Sequence, residues 1–155
     1  MATTEGVPAV GAHTGTADTR PRPHRNRAGD DFVSVRVPAA AAYLSVLRTT
    51  TASLAARLDF TLDEIEDLRI AVDEASCLLL AGAAEGAELT SVFAMSADSI
   101  EISVSTMTDK GHPPSRDSFA WTVLSALAGE VDAWTEADGQ QTISLIKHRS
   151  TGTVT

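Results

Sequence analysis

A single cysteine, Cys77, is all the thiol chemistry this chain carries, so no internal disulfide can form and a reducing compartment suits it. Equally missing is any apolar run approaching the roughly 18 residues of a membrane span. The opening MATTEGVPAVGAHTGTADTRPRPHRNRAGD also lacks the continuous apolar core of a secretory signal. These absences predict a cytoplasmic protein without a membrane partner. Positive charge is short as well, with 12 Lys and Arg against 21 Asp and Glu and a net charge of −9. A chain of that sign repels phosphate backbones, which argues against direct nucleic-acid binding. His112 and His148 have no partners at metal-ligand spacing, so no metal site is read, and no Ser-His-Asp or Cys-His constellation is legible. Cys77 lies in an apolar helical run with nothing adjacent to lower its pKa, and is expected to be buried packing.

What is present suits one domain of 155 residues. Residues 1–30, rich in Gly, Ala, Thr and Pro, cannot bury enough surface to offset ordering entropy and are expected to be a disordered tail. RPRPHRNR within it is a basic patch, read as a solvated arm or an anionic docking segment. The domain is expected over 31–150, with 151–155 a flexible end. DFVSVRVPA alternates, with Val33, Val35 and Val37 on one side, and reads as a half-buried strand. In the following helix, Tyr43, Leu47, Leu54 and Leu58 form the expected buried stripe, with Ser45, Arg48, Thr49 and Ala52 facing away. A second helix opens with Thr61 and Glu64 as a capping box and buries Leu62, Ile65, Leu68, Val72, Ala75 and Leu79, with Gly82 as its stop signal. LTSVFAMS and SIEISVSTM read as paired strands, and SFAWTVLSALAGE as a third helix. Two alternating runs around Asp138-Gly139 then carry a hairpin signal. Trp121 and Trp134 read as core and hairpin packing. Adjacent strands with short turns predict an α+β two-layer sandwich, a mainly antiparallel mixed sheet with helices on one face.

This element order, with the second helix reading LDFTLDEIEDLRIAVDEA, resembles the anti-sigma-factor serine kinases, which share the Bergerat (GHKL) ATP-binding fold with histidine kinases. The resemblance runs from about Phe32 to the terminal hairpin and is most specific over residues 58–75. DSFAWTVLSALAGEVDAW is similar to a helix-then-strand segment of actinobacterial members. In active relatives the second helix carries a Glu that polarises a nucleophile and, four residues on, an Asn that holds magnesium against ATP. Glu74 matches the Glu, whereas Leu78 stands at the Asn position and offers no oxygen. In TDKGHPP, Asp109 and Gly111 match the adenine-binding Asp-x-Gly-x-Gly motif, but Pro113 replaces its second glycine; a plain turn explains the match equally well. Ser118 and Ala120 stand where the family's phosphate-binding glycines are expected, and the segment between the two motifs is much shorter than the family's lid.

The resemblance therefore implies an anti-sigma factor with an eroded nucleotide site. It would sequester an alternative sigma factor of the stress or development type and be released by an anti-anti-sigma (STAS) antagonist. The alternative is a working serine kinase that uses Mg-ATP on that antagonist, with Glu74 as base and Asp109 on adenine. Arg48 aligns with an arginine that contacts both partners in the family, and Ser45, Thr49 and Ala52 share its face; a solvated arginine is the other reading. Asp63, Glu64, Glu66 and Asp67 serve the helix dipole or attract a basic sigma factor. Homodimers occur among the relatives it resembles.

Overall fold

A computed structural model describes residues 31–152; the expected tail of residues 1–30, with its basic patch, and residues 153–155 lie outside them. Alternation in the first strand, β1 (Asp31–Pro38), sends Val33, Val35 and Val37 to the core and leaves Phe32, Ser34 and Arg36 outside. The same period continues in β2 (Glu88–Met95) and β3 (Ser99–Met107), where Leu89 and Phe93, then Ile100, Ile102 and Val104, are fully buried. β4 (Glu130–Thr135) and β5 (Gln140–His148) close the chain as the hairpin expected at Asp138-Gly139, with Gly139 in the left-handed region at φ 94°. The sheet order is β1-β2-β3-β5-β4, and the expected α+β sandwich has a sheet that is antiparallel throughout.

The helices are α1 (Leu44–Arg57), entered through a 3₁₀ turn at Ala41–Tyr43, then α2 (Leu62–Leu80) and α3 (Phe119–Leu127). α2 packs against α1 on one flank, against α3 on the other, and onto β3 and β5 beneath. Its N-terminus is the expected capping box: Glu64 N donates to Thr61 Oγ1, and Thr61 N donates to Glu64 Oε2 at 2.8 Å. Asp59, at φ 58°, takes the left-handed step that turns α1 into α2, beside the buried Phe60.

Two expected stripes shift. In α1 the buried residues are Leu44, Leu47, Thr51 and Ala55, while Tyr43 is exposed and Leu54 and Leu58 are only partly covered. At about 100° per residue this turns the core-facing side by roughly 50° from the expected stripe. Leucine-weighted reading missed it because Thr51 and Ala55 occupy the narrow seam against α2, where small side chains fit. In α2 the stripe runs from Leu68 through Val72 and Ala75 to Leu79, but Leu62, on the first turn, is 84% exposed.

Candidate functional site

The seam between α1 and α2 holds the candidate partner-binding residues. With the helix turned, Arg48 lies beside the buried stripe, roughly 60° from its centre, rather than opposite to it. From there it reaches across the seam, and its Nη1 donates to Asp73 Oδ1 at 2.5 Å. Both side chains stay about one-third exposed, at 37% and 32%. Ser45 and Thr49 are exposed and Ala52 is half-buried, so the small residues expected around Arg48 do share its outer side. Ile70 and Cys77 on α2 continue that surface. Asp73 is the residue the sequence reading missed. Its helical period groups it with Ile70 and Cys77, but only the packing of α1 against α2 makes this the α1 side.

Asp73 and Glu74 are neighbours in sequence but occupy opposite flanks of α2. Lys147 Nζ bridges Asp67 Oδ2, at 3.3 Å, and the Leu127 carbonyl that ends α3, at 2.8 Å. Glu74 and Leu78 lie seven and eleven residues after Asp67 and so share this α3 flank. Glu74 is half-buried, and Leu78 packs against the core.

The loop after β3 begins at the far end of the same helix. Thr108 Oγ1 donates to the Gly82 carbonyl at 2.6 Å, and Lys110 Nζ reaches the Ala81 carbonyl at 3.4 Å, closing the C-terminus of α2. Seven residues separate Glu74 from Ala81, about 10 Å along the axis. Asp109 and Gly111 are both exposed in this loop, and a Cβ on Gly111 would meet nothing within 4 Å, so no close approach calls for glycine there. Further on, the chain is pinned. Gln141 Nε2 donates to the His112 carbonyl at 2.7 Å, and Arg116 lies 4.9 Å from the Trp121 ring while bonding Asp132. Ser118 is the N-cap of α3, accepting from Trp121 N at 3.1 Å. Trp121 is buried as expected, and Trp134 is half-buried with its indole N–H on Glu136.

The acidic cluster is mostly engaged within the fold. Glu64 accepts from Ser150 N and Oγ as well as from Thr61; Glu66 pairs with Arg69, and Asp67 with Lys147. Desolvation pushes the Glu64 carboxyl up, but the hydrogen bonds from Ser150 and Thr61 outweigh it and hold the pKa at about 2. Cys77, expected to be buried, is exposed; apolar positions in α2 outnumber its core-facing positions, and this one lies outside them. Partial desolvation and then the Asp73 and Glu74 carboxylates push its thiol up, against the pull of Arg48.

A magnesium triphosphate does not fit this donor set well. The position one turn after Glu74 is a packed leucine without an oxygen, and Ser118 spends its side chain on capping. Among the described residues no group of three or more His, Cys, Asp and Glu could hold a metal ion. Nor is any helix there long and apolar enough to cross a membrane.

No family model matches the chain. It is 34% identical over 109 residues to an anti-sigma-F factor, RsbW, of Mycobacterium tuberculosis, covering 70% of this chain and 64% of that one. It is 32% identical over 102 residues to the serine-protein kinase RsbW of Bacillus mycoides, covering 64% and 59%. The Bacillus subtilis serine-protein kinase RsbW shares 47% over 45 residues, 29% of this chain and 28% of that one. The chain thus spans at most about two-thirds of the length of these relatives. Among solved structures, the RsbU and RsbW domains of a Mycobacterium tuberculosis protein share the fold at a TM-score of 0.61 and 17% identity, over 81% of this chain and 35% of that one.

Proposed function

We propose that this chain, which is similar to the RsbW serine-protein kinases and anti-sigma factors, is an anti-sigma factor of that family. It sequesters an alternative sigma factor of the stress or development type and yields it to an anti-anti-sigma antagonist of the STAS class. The observation that carries this reading is Arg48, half-exposed on the α1–α2 seam among the small residues Ser45, Thr49 and Ala52. An arginine fork held at a helix seam offers several directed bonds over an area shallow enough for another protein to approach. Covering sigma surfaces that core polymerase needs stops transcription from the promoters that factor serves. The test is titration of the full chain with the alternative sigma factors of its own genome. A complex that Arg48→Ala weakens supports the reading; no complex with any of them ends it.

The nucleotide site is read as eroded. Leu78 packs, partly buried, against the core where the family's magnesium-holding Asn is expected, and the shortened loop is held down by Arg116 and Gln141. A kinase reading has one observation in its favour, since Glu74 occupies the α3 flank of α2 with the loop of Asp109 and Gly111 at the end of that helix. On it, Glu74 is the base, Asp109 meets adenine, and the antagonist is the substrate. Radiolabel transfer from ATP to that antagonist, lost in Glu74→Ala, would establish this reading; absence of both transfer and ATP-binding heat supports erosion.

A homodimer belongs to the proposal as well. The side of the sheet away from the helices leaves Phe32 and Met107 exposed, and light scattering of the full chain would give the mass. A reducing cytoplasm suits the single thiol and the proposed partners.

A further inference from the structure

The α1–α2 seam contains one cross-helix ion pair whose members come from positions 25 residues apart, Arg48 on α1 and Asp73 on α2. Arginine carries five N–H donors in a rigid plane. Among the described residues only Nη1 is engaged, by Asp73 Oδ1, and about a third of the side chain remains open. A guanidinium on a long flexible stem ordinarily samples many rotamers, and ordering them on binding costs affinity. Here the carboxylate stands on the neighbouring helix. It therefore restrains the direction of the stem before any partner arrives. Asp73 is itself held by its place on α2, whose Val72 and Ala75 are fully buried on either side of it in sequence.

The surroundings match that role. Ile70 and Cys77, one turn before and after Asp73, are exposed, and Ser45 and Thr49 lie on the outer side of α1. The remaining donors open onto a surface that also carries the Arg69–Glu66 pair, four and seven residues before Asp73 on α2, and a carboxylate or backbone carbonyl of a docking protein would complete the fork. Glu74, although adjacent in sequence, is on the opposite flank and does not compete for Arg48.

We propose that Asp73 is a positioning residue of the partner-binding surface: it pre-orients Arg48 across the helix seam so that the unused guanidinium donors meet the docked protein. This rests on the reading of the chain as an anti-sigma factor. The carboxylate acts through Arg48 alone, which makes the two side chains one functional unit.

A double-mutant cycle tests it, using the full chain and the purified sigma-F-type factor of the same genome, with dissociation constants from titration and folding checked by thermal melting. Asp73→Asn is nearly isosteric and keeps an acceptor but removes the charge. It is expected to weaken the complex about 10-fold in the Arg48 background and about 2-fold or less once Arg48→Ala is present, because coupled residues are non-additive. Three results overturn the inference while leaving the anti-sigma reading intact. Asp73→Asn could leave the affinity unchanged; it could tighten the complex, making the ion pair a latch that partners must break; or it could weaken the complex equally in both backgrounds, which marks a purely structural role. A complex indifferent to Arg48→Ala removes the arginine from the interface and this inference with it. Absence of any complex removes both readings.

Discussion

Glu64 ties two distant parts of the chain together through one carboxylate, capping α2 from within and receiving the backbone and hydroxyl of Ser150 from the segment after β5. Its pKa falls from 4.5 to about 2 on folding, so the unfolded chain binds this proton more readily. The stability it contributes is complete above about pH 4.5 and is lost as pH falls toward 2. After allowance for solvent screening at a helix end, that is about 1–2 kcal/mol. Urea melts of the parent and Glu64→Gln should therefore differ at pH 7 and converge near pH 2. Arg48→Ala is expected to weaken a sigma-factor complex about 30-fold, or about 2 kcal/mol, read by titration. Leu78→Asn restores the family's residue type at that position, but it places an amide where a leucine packs. It should cost about 1–3 kcal/mol and give no magnesium-dependent ATP heat in calorimetry, because the glycine positions remain changed. At this scale the partial exposure of Arg48 was legible from the sequence, but its ion-pair partner was not. Nothing local distinguishes Asp73 from Glu74 until one knows which helix lies on which side of α2.

Elements were the most legible level, since each follows from a short-range rule. Thr61 and Glu64 announce the start of α2 by spacing alone, and both halves of the capping box form. Thr61→Ala should cost about 1 kcal/mol, seen as a lower urea midpoint at unchanged slope. The end of α3 depends on a longer reach. Lys147, with a side chain 16% exposed, holds the Leu127 carbonyl and Asp67 together. Lys147→Ala leaves that carbonyl without its donor. The expected cost is about 1–2 kcal/mol, with faster amide exchange in α3 than in α2. Where the period was read from large residues only, it erred: Tyr43 and Leu62 were expected inside and are exposed, whereas Thr51 and Ala55 are fully buried. Close helix–helix contact selects small side chains, and a hydrophobicity count undervalues them.

For the molecule as a whole, one core joins the five strands to all three helices. Unfolding monitored by helix signal and by Trp121 and Trp134 fluorescence is expected to coincide. Ending the chain after His148 removes Ser150 and Arg149 from the α1–α2 corner and should lower the midpoint by roughly 5 °C. Alternation, helical period, the capping box and the Asp138-Gly139 turn act over a few residues. By themselves they therefore determined that this chain forms a two-layer α+β sandwich, and the α2 motif determined its kinship. Tertiary structure alone decided that β5 inserts between β3 and β4, that the acidic cluster is largely satisfied internally, and that Arg48 is held by Asp73. Among those contacts, Arg48–Asp73, Asp67–Lys147 and Glu64–Ser150 join residues 25, 80 and 86 positions apart. Which such groups meet depends on how whole helices and strands pack, and no local pattern carries that information.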